Sequence, residues 1–402
     1  MTRVLGAGLL AALLPMGTAA ADPAAGGTGT VWVSRATDGT QANGGSGNAV
    51  ISRNGRYVAF TSWATNLVPF DSPLPGNQPR GYLRDLQEGT VERVRIGAVP
   101  GVVQDFSAAG DRVVIRSNDN GMYVRDLPTG VTRRVDVDLG DYTGGYTLTA
   151  RISGSGRYVV FSAGAPSGPG ADQGIRVYVR DLLDGTTQWV SRPNTGTEFY
   201  DAAGPVVSDD GQRIAYTYIR RGSPSTGHVH LLDRNTGERQ IVDVAHDGST
   251  PERTLSGRLS LSADGGLVLF NRTDSSPVTA NDQKSTTFIR EVATGTTRPT
   301  PFTNITSCAS LSADGRTVLL MPDSPEGRPP HLVPPIFMWK RETDQVQIVS
   351  VWSDGSPVGA IPGPVAMTGD GAAFAFESGM PIVPGKSYGV SDVFVRTLPA
   401  GT

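Results

Sequence analysis

The chain has 402 residues, a formal charge of -3, 18% charged and 7% aromatic residues, 51 glycines and 29 prolines. With no basic excess it carries no electrostatic footprint for nucleic acid or anionic lipid. Its one cysteine, Cys308, has no partner within the chain, which excludes a disulfide framework and leaves that residue as a small buried hydrophobe.

The first residues read as an export signal. Arg3 precedes an apolar run through Leu14 and the small residues Thr18-Ala19-Ala20-Ala21, the pattern of a secretory leader too short to span a bilayer. Cleavage is expected after Ala21, leaving one domain over 22–402 and no transmembrane segment. Thr30-Val31-Trp32-Val33-Ser34 then reads as a strand with nothing in front of it to pair with. It matches Gln188-Trp189-Val190-Ser191, the second half of a hairpin that begins at Val177-Tyr178-Val179-Arg180-Asp181 and turns at Asp184-Gly185.

From there a Ser/Thr-x-x-Gly turn recurs, its glycine at 55, 110, 156, 211, 265, 315 and 371, at intervals of 46 to 56 residues. The glycine fits a turn that needs positive φ. Behind each turn stand matched apolar columns: Val58, Val113, Val159, Ile214, Val268, Val318 and Phe374, then Phe60, Ile115, Phe161, Tyr216, Phe270, Leu320 and Phe376. Their period of two predicts a strand with one packed face. Further on, Tyr82, Tyr123, Tyr178, His230, Phe288, Met338 and Phe394 share a column. Arg84, Arg125, Arg180, Arg290, Lys340 and Arg396 stand two residues later, with Leu232 the exception. The acids that follow, Asp85, Asp126, Asp181 and Asp233, make this a repeated basic-acidic pair, read as a solvated or cross-strand charge ladder.

Four strands in about fifty residues are the size of a propeller blade, and seven turns give seven blades. The seventh repeat ends after its third strand, Val393-Phe394-Val395-Arg396, and the unpaired N-terminal strand supplies what it lacks. The expected fold is an all-β, seven-bladed β-propeller closed by pairing the N-terminal strand with the last blade. Ser312-Ala313-Asp314-Gly315-Arg316-Thr317-Val318 and Ser52-Arg53-Asn54-Gly55-Arg56-Tyr57-Val58 resemble the WD-like repeat of TolB-type propellers. The segments Asn66-Leu67-Val68-Pro69 and Tyr-Val-Arg-Asp-Leu are similar to secreted actinobacterial members of that group. The resemblance implies a fold used for interaction platforms, for domains that gate serine peptidases, and at times for lyases.

Catalytic signatures are sparse. A nucleophile elbow is absent, since Gly44-Gly45-Ser46-Gly47-Asn48 lacks the final glycine. His228 and His230 lie two apart on one strand face and could share a metal, but His230 fills an aromatic column and reads as a packed imidazole. No cofactor and no metal is expected. Asp105 and Arg151, in equivalent positions of consecutive blades, are expected to form an ion pair near the axis.

Binding is expected on the face carrying the long, variable loops. The candidate residues are Trp63, Arg80, Tyr142, Tyr200, Asp201, Arg220, Trp352 and Tyr388, with Lys386 in the same loop as Tyr388. The reading is a secreted, monomeric, non-catalytic scaffold for a protein or carbohydrate ligand. The alternative is a polysaccharide lyase or hydrolase with its site over the central channel.

Overall fold

The computed structural model describes residues 29–69, 78–139, 146–164, 174–192, 200–220, 226–245, 249, 259–273, 285–303, 308–321, 334–361 and 365–399. The leader at 1–21, Tyr142 and the side chain of Cys308 lie outside the described residues. The described residues hold strands and no helix, in seven antiparallel sheets arranged as a seven-bladed β-propeller. Blade 1 is typical, running outward from the axis through Ser46–Ile51, Tyr57–Ser62, Arg80–Asp85 and Thr90–Arg93. Blade 2 gains a two-residue strand, Arg95–Ile96, beside its innermost one.

The ring closes as expected. Gly29–Trp32 is the outer strand of blade 7, paired Gly29 to Thr397 and Trp32 to Phe394. The Ser34 hydroxyl accepts the Val393 amide at 2.9 Å and donates to Asp392 at 2.7 Å. Pairing the two ends leaves no inner sheet edge open at the junction.

Every Ser/Thr-x-x-Gly turn is built alike. The hydroxyls of Ser52, Ser107, Ser153, Ser208, Ser262, Ser312 and Thr368 each accept the amide that starts the next strand, at 2.9 to 3.0 Å. Five of them donate to the Asn or Asp two positions on, at 2.5 to 2.6 Å. The glycines take φ between +68° and +74°, where a side chain would be strained.

The core is seven clusters, one at each blade interface, which is why the second strands are packed on both faces rather than one. Val58 and Phe60 point into the cluster shared with blade 7, while Ala59 points into the one shared with blade 2. Ile214 and Tyr216 face blade 3 while Ala215 faces blade 5. Strict alternation therefore divides each strand between two neighbours. The large side chain of each pair faces the preceding blade.

Two further expectations are corrected. In blade 6, Leu320 pairs with Phe337 and Val318 with Trp339. Phe337 and Trp339, not Met338 and Lys340, thus fill the columns of Tyr82 and Arg84; matching Lys340 to the basic column by charge shifts the alignment by one residue and inverts the faces. Nor is the basic column a solvated ladder. Arg84 is 2% exposed and donates to the Arg35 carbonyl at 3.1 Å. Arg125 reaches the Arg95 carbonyl, and Arg396 reaches the Val351 carbonyl at 3.2 Å, so these guanidiniums tie each third strand to the chain leaving the preceding blade. The acids pair instead across the second and third strands, as in Arg56 with Asp85 and Arg157 with Asp181, both 2.7 Å. The Arg157 guanidinium lowers the Asp181 carboxyl to about 2.

Removing residues 22–36 takes away the outer strand of blade 7 and its Ser34 contacts. The melting temperature followed by circular dichroism should then fall sharply; an unchanged curve would show that the ring does not depend on this junction.

Candidate functional site

The two mouths of the central channel are built differently. On one side the seven tight turns meet around the axis through backbone hydrogen bonds of 2.7 to 3.0 Å. Ala108 donates to Gly154, Ser155 to Asp209, Asp209 to Ala263, Ala263 to Ala313, Ala313 to Gly369, and Gly369 to Arg53. The side-chain amide of Asn54 completes the circle, donating through Nδ2 to the Ala109 carbonyl at 2.7 Å. Small residues stand at most of these positions. The exceptions, Arg53 of blade 1 and Asp209 of blade 4, form an ion pair. These blades are not neighbours, so the pair spans the opening. Gly154 leaves room for the Asp209 carboxylate, which a side chain there would strike.

Farther along the channel, Asp105 and Arg151 do not form the expected ion pair. Asp105 accepts the Ile152 amide at 3.0 Å, while Arg151 donates to the carbonyls of Gln104 at 3.2 Å and Ala150 at 3.0 Å. Asp105 sits at a bulge in its strand, where unpaired backbone groups offer nearer partners than the other charge. Enclosure by protein raises the Asp105 carboxyl above its usual range, and the field of Arg151 opposes that rise.

The opposite mouth carries the variable loops, and two groups of residues stand out there. The first lies at the junction of blades 7 and 1. Trp63 is 47% exposed and Tyr388 75%. Beneath Tyr388, Lys386 is buried, not a surface residue as its loop position suggests. Its ammonium contacts Asp392 at 3.2 Å and donates to the carbonyls of Ser387 at 2.9 Å and Val390 at 2.7 Å. The paired charge and its carbonyl partners replace the lost hydration.

The second group runs across the loop end of blade 4. Tyr200 stacks on Tyr218 with ring centroids 4.3 Å apart, and Tyr218 lies opposite His228 on the next strand. His228 Nδ1 is 3.2 Å from the Asp243 carboxylate, which also accepts the Val229 amide at 3.0 Å. Asp243 has no exposed surface and His228 is partly open. Asp201 accepts the Ile175 amide at 2.7 Å, and Arg220 is exposed at the strand end. Below this row, Tyr216 Oη and His230 Nδ1 are buried with no hydrogen-bond partner among the described residues. Burial pushes the Tyr216 hydroxyl up and the His230 imidazole down to about 4, the latter helped by Arg239.

The structure thus separates the sequence-derived candidates. It groups Trp63 with Tyr388 and Tyr200 with Asp201 and Arg220. Arg80 is buried at the start of its strand, donating to the Ala64 carbonyl at 3.3 Å. Trp352 is part-buried against the core of blades 6 and 7, in a turn closed by its own backbone. His228 and His230 share a face as expected, yet no group of three metal-holding side chains occurs among the described residues.

Sequence reasoning overlooked Asp243. In blades 3, 6 and 7 its position holds Ser191, Ser350 and Ser34, whose hydroxyls accept the third-strand amide at 2.8 to 3.0 Å. The Val-Ser that recurs in Trp32-Val33-Ser34, Trp189-Val190-Ser191 and Ile348-Val349-Ser350 carried that signal.

No protein-family model and no curated protein sequence matches the chain. Solved structures do. An oligogalacturonate lyase in complex with manganese superposes with a TM-score of 0.59 at 14% identity, covering 93% of this chain and 96% of that one. The oligogalacturonate lyase of Vibrio parahaemolyticus gives 0.59 at 11% identity, covering 93% and 99%. TolB from Acinetobacter baumannii is similar over 68% of this chain and 63% of that one, at 19% identity and a TM-score of 0.41, a partial likeness on which nothing further rests. At these identities the likeness to the lyases establishes the propeller architecture alone.

His230 gives a pH test of the blade 4 packing. Its folded pKa of about 4 lies below its ordinary 6.5, so the unfolded chain takes up the proton first as the pH falls. Stability present above about pH 6.5 should decline from there down to about pH 4. His230→Phe, which restores the ring type of Phe288 and Phe394, should flatten that part of the melting temperature against pH; equal slopes in both proteins would contradict it.

Proposed function

We propose that the protein is an exported, non-catalytic propeller that holds a protein or carbohydrate ligand, as a single copy, on the face made of variable loops. The observation that carries this reading is the asymmetry of the mouths. The tight-turn side spends its backbone groups on a closed circle and crosses the opening with Arg53 and Asp209, which leaves the loop side as the approach to the channel. Loops free to vary on a rigid scaffold are where recognition groups gather. The leader-like start of the sequence supports export.

A second reading, a carbohydrate-active enzyme, is favoured by one observation. Burying a carboxylate costs more than burying a hydroxyl, and the fold needs only a hydroxyl at the position of Asp243. The extra oxygen serves His228, holding its partly open ring through Nδ1 as the partner of an acid–base residue would. Two of the similar structures are lyases, and their class of substrate enters here as this alternative.

Both readings are tested with variants on opposite faces. A ligand retained from culture medium or the envelope fraction should be weakened about tenfold by Trp63→Ala with Tyr388→Ala, or by Tyr200→Ala with Arg220→Ala. It should survive Leu183→Ala and Arg316→Ala, at exposed turns on the other side. Loss only in the turn variants would refute the loop-face reading. Asp243→Ser copies the other blades and should keep the melting temperature; a polysaccharide-degrading rate that it leaves unchanged would remove His228 from any catalytic role.

A further inference from the structure

We propose that the loop strip across the junction of blades 7 and 1 binds an uncharged oligosaccharide chain. This names the ligand class for one part of the loop face and rests on the preceding reading of that face. The strip is made of three segments, 41–48, 61–68 and 387–391, tied to one another. The Trp63 amide donates to Gly45 at 2.9 Å, the Ser46 amide to Ser391 at 2.7 Å, and the Ser387 amide to the Gln41 side chain at 3.3 Å.

Two large rings stand in water on this strip while Trp32 and Trp339 are buried. Their mounts are fixed. A side chain at Gly44 would lie 2.8 Å from the backbone of Trp63 and Ala64, so these two loops touch directly, and the Lys386 clamp holds the turn beneath Tyr388. Rings on fixed mounts lose little freedom when something stacks on them. Their flat faces offer what the C–H face of a pyranose needs, an apolar surface that cannot collapse away.

Around the rings the polar groups are amides and hydroxyls. Asn43, Asn48, Thr65 and Asn66 bond among themselves and their neighbours in ways that leave Asn43 and Asn48 exposed. The three segments contain no Asp, Glu, Lys or Arg in a chain that is 18% charged. Arg80, Glu377, Lys386 and Asp392, which adjoin them, are buried: Arg80 donates to the Ala64 carbonyl, Glu377 accepts the Asn48 amide, and Lys386 faces Asp392. An acidic or basic ligand would find no counter-charge within the three segments, whereas sugar hydroxyls can both donate to and accept from these groups. The Tyr200 group of blade 4, with Arg220 and Asp201 beside it, has the opposite character.

The test is affinity electrophoresis and tryptophan fluorescence with dextran, laminarin and soluble mannan as neutral probes, against polygalacturonate and heparin as charged ones. The intact protein should be retarded by at least one neutral polymer. That binding should hardly change as salt rises. Trp63→Ala and Tyr388→Ala should each weaken it about tenfold without moving the melting temperature. No neutral polymer bound, binding unchanged in the double variant, or a salt-sensitive preference for the charged polymers would each overturn the proposal. So would a protein held by the same strip. The broader loop-face reading fails separately, only if a ligand of any kind is lost through turn-face variants alone.

Discussion

Each first-to-second-strand turn has to reverse the chain within four residues and leave no buried amide without an acceptor. A serine or threonine hydroxyl meets both demands: it takes the amide that opens the second strand and, in five of the turns, passes its own proton to the Asn or Asp two residues on. With glycine at positive φ closing the turn, the residue after the hydroxyl is thrown toward the axis, backbone first. There its amide and carbonyl meet the equivalents from the next blade. The spacing and tilt of the blades, the two-sided packing of every second strand and the narrowing of one mouth all descend from that one turn.

Because the turn end is bound so closely, variation collects at the other end of the blades. One position shows the pattern. Beside the start of the third strand, a serine in three blades accepts a backbone amide, and its hydroxyl bonds one more group nearby: Asp392 for Ser34, the Trp189 ring for Ser191, the Val358 carbonyl for Ser350. In blade 4 an aspartate takes the same amide and holds an imidazole. In blade 7 the acid moves to the strand itself, as Asp392, where it accepts from Ser34 and faces a lysine from the loop above. The scaffold thus tolerates charge at this depth so long as every charge has a partner.

Much of this was legible in the sequence because it recurs. Seven glycines, seven hydroxyls and the matched apolar columns mark the turns and strands, and the orphan Trp32-Val33-Ser34 marks the closure. What repetition does not convey is what a residue meets. Arg84 reads as one member of a charge row, yet its guanidinium ends on a carbonyl of the chain leaving the preceding blade. Lys340 looks like another member and is not, since only the hairpin register tells it from Trp339. The candidate site was harder still. Arg80 and Trp63 flank one loop, and whether such a side chain turns inward or outward depends on neighbours far away in sequence. The pairing of His228 with Asp243 was hidden for the same reason: the two lie on different strands, and the aspartate stands where its counterparts are serines.

The junction between the chain ends has a bearing on how the molecule comes into being. Arg396 bonds Thr30 across 366 residues, and Val393 meets Ser34 across 359. Six blades can form from contacts within about fifty residues, but the seventh waits for the two most distant parts of the chain to find each other. Closing so long a loop adds only logarithmically to the entropic penalty, yet it places the decisive encounter last. Until then the molecule is an open array with an unsatisfied strand edge at blade 7 and an apolar N-terminal segment in search of it. Those are the features through which one copy can capture the strand of another. A chain made from the N-terminus onward must keep that first strand unpaired for most of its synthesis, and all that time the strand is available to the wrong edge.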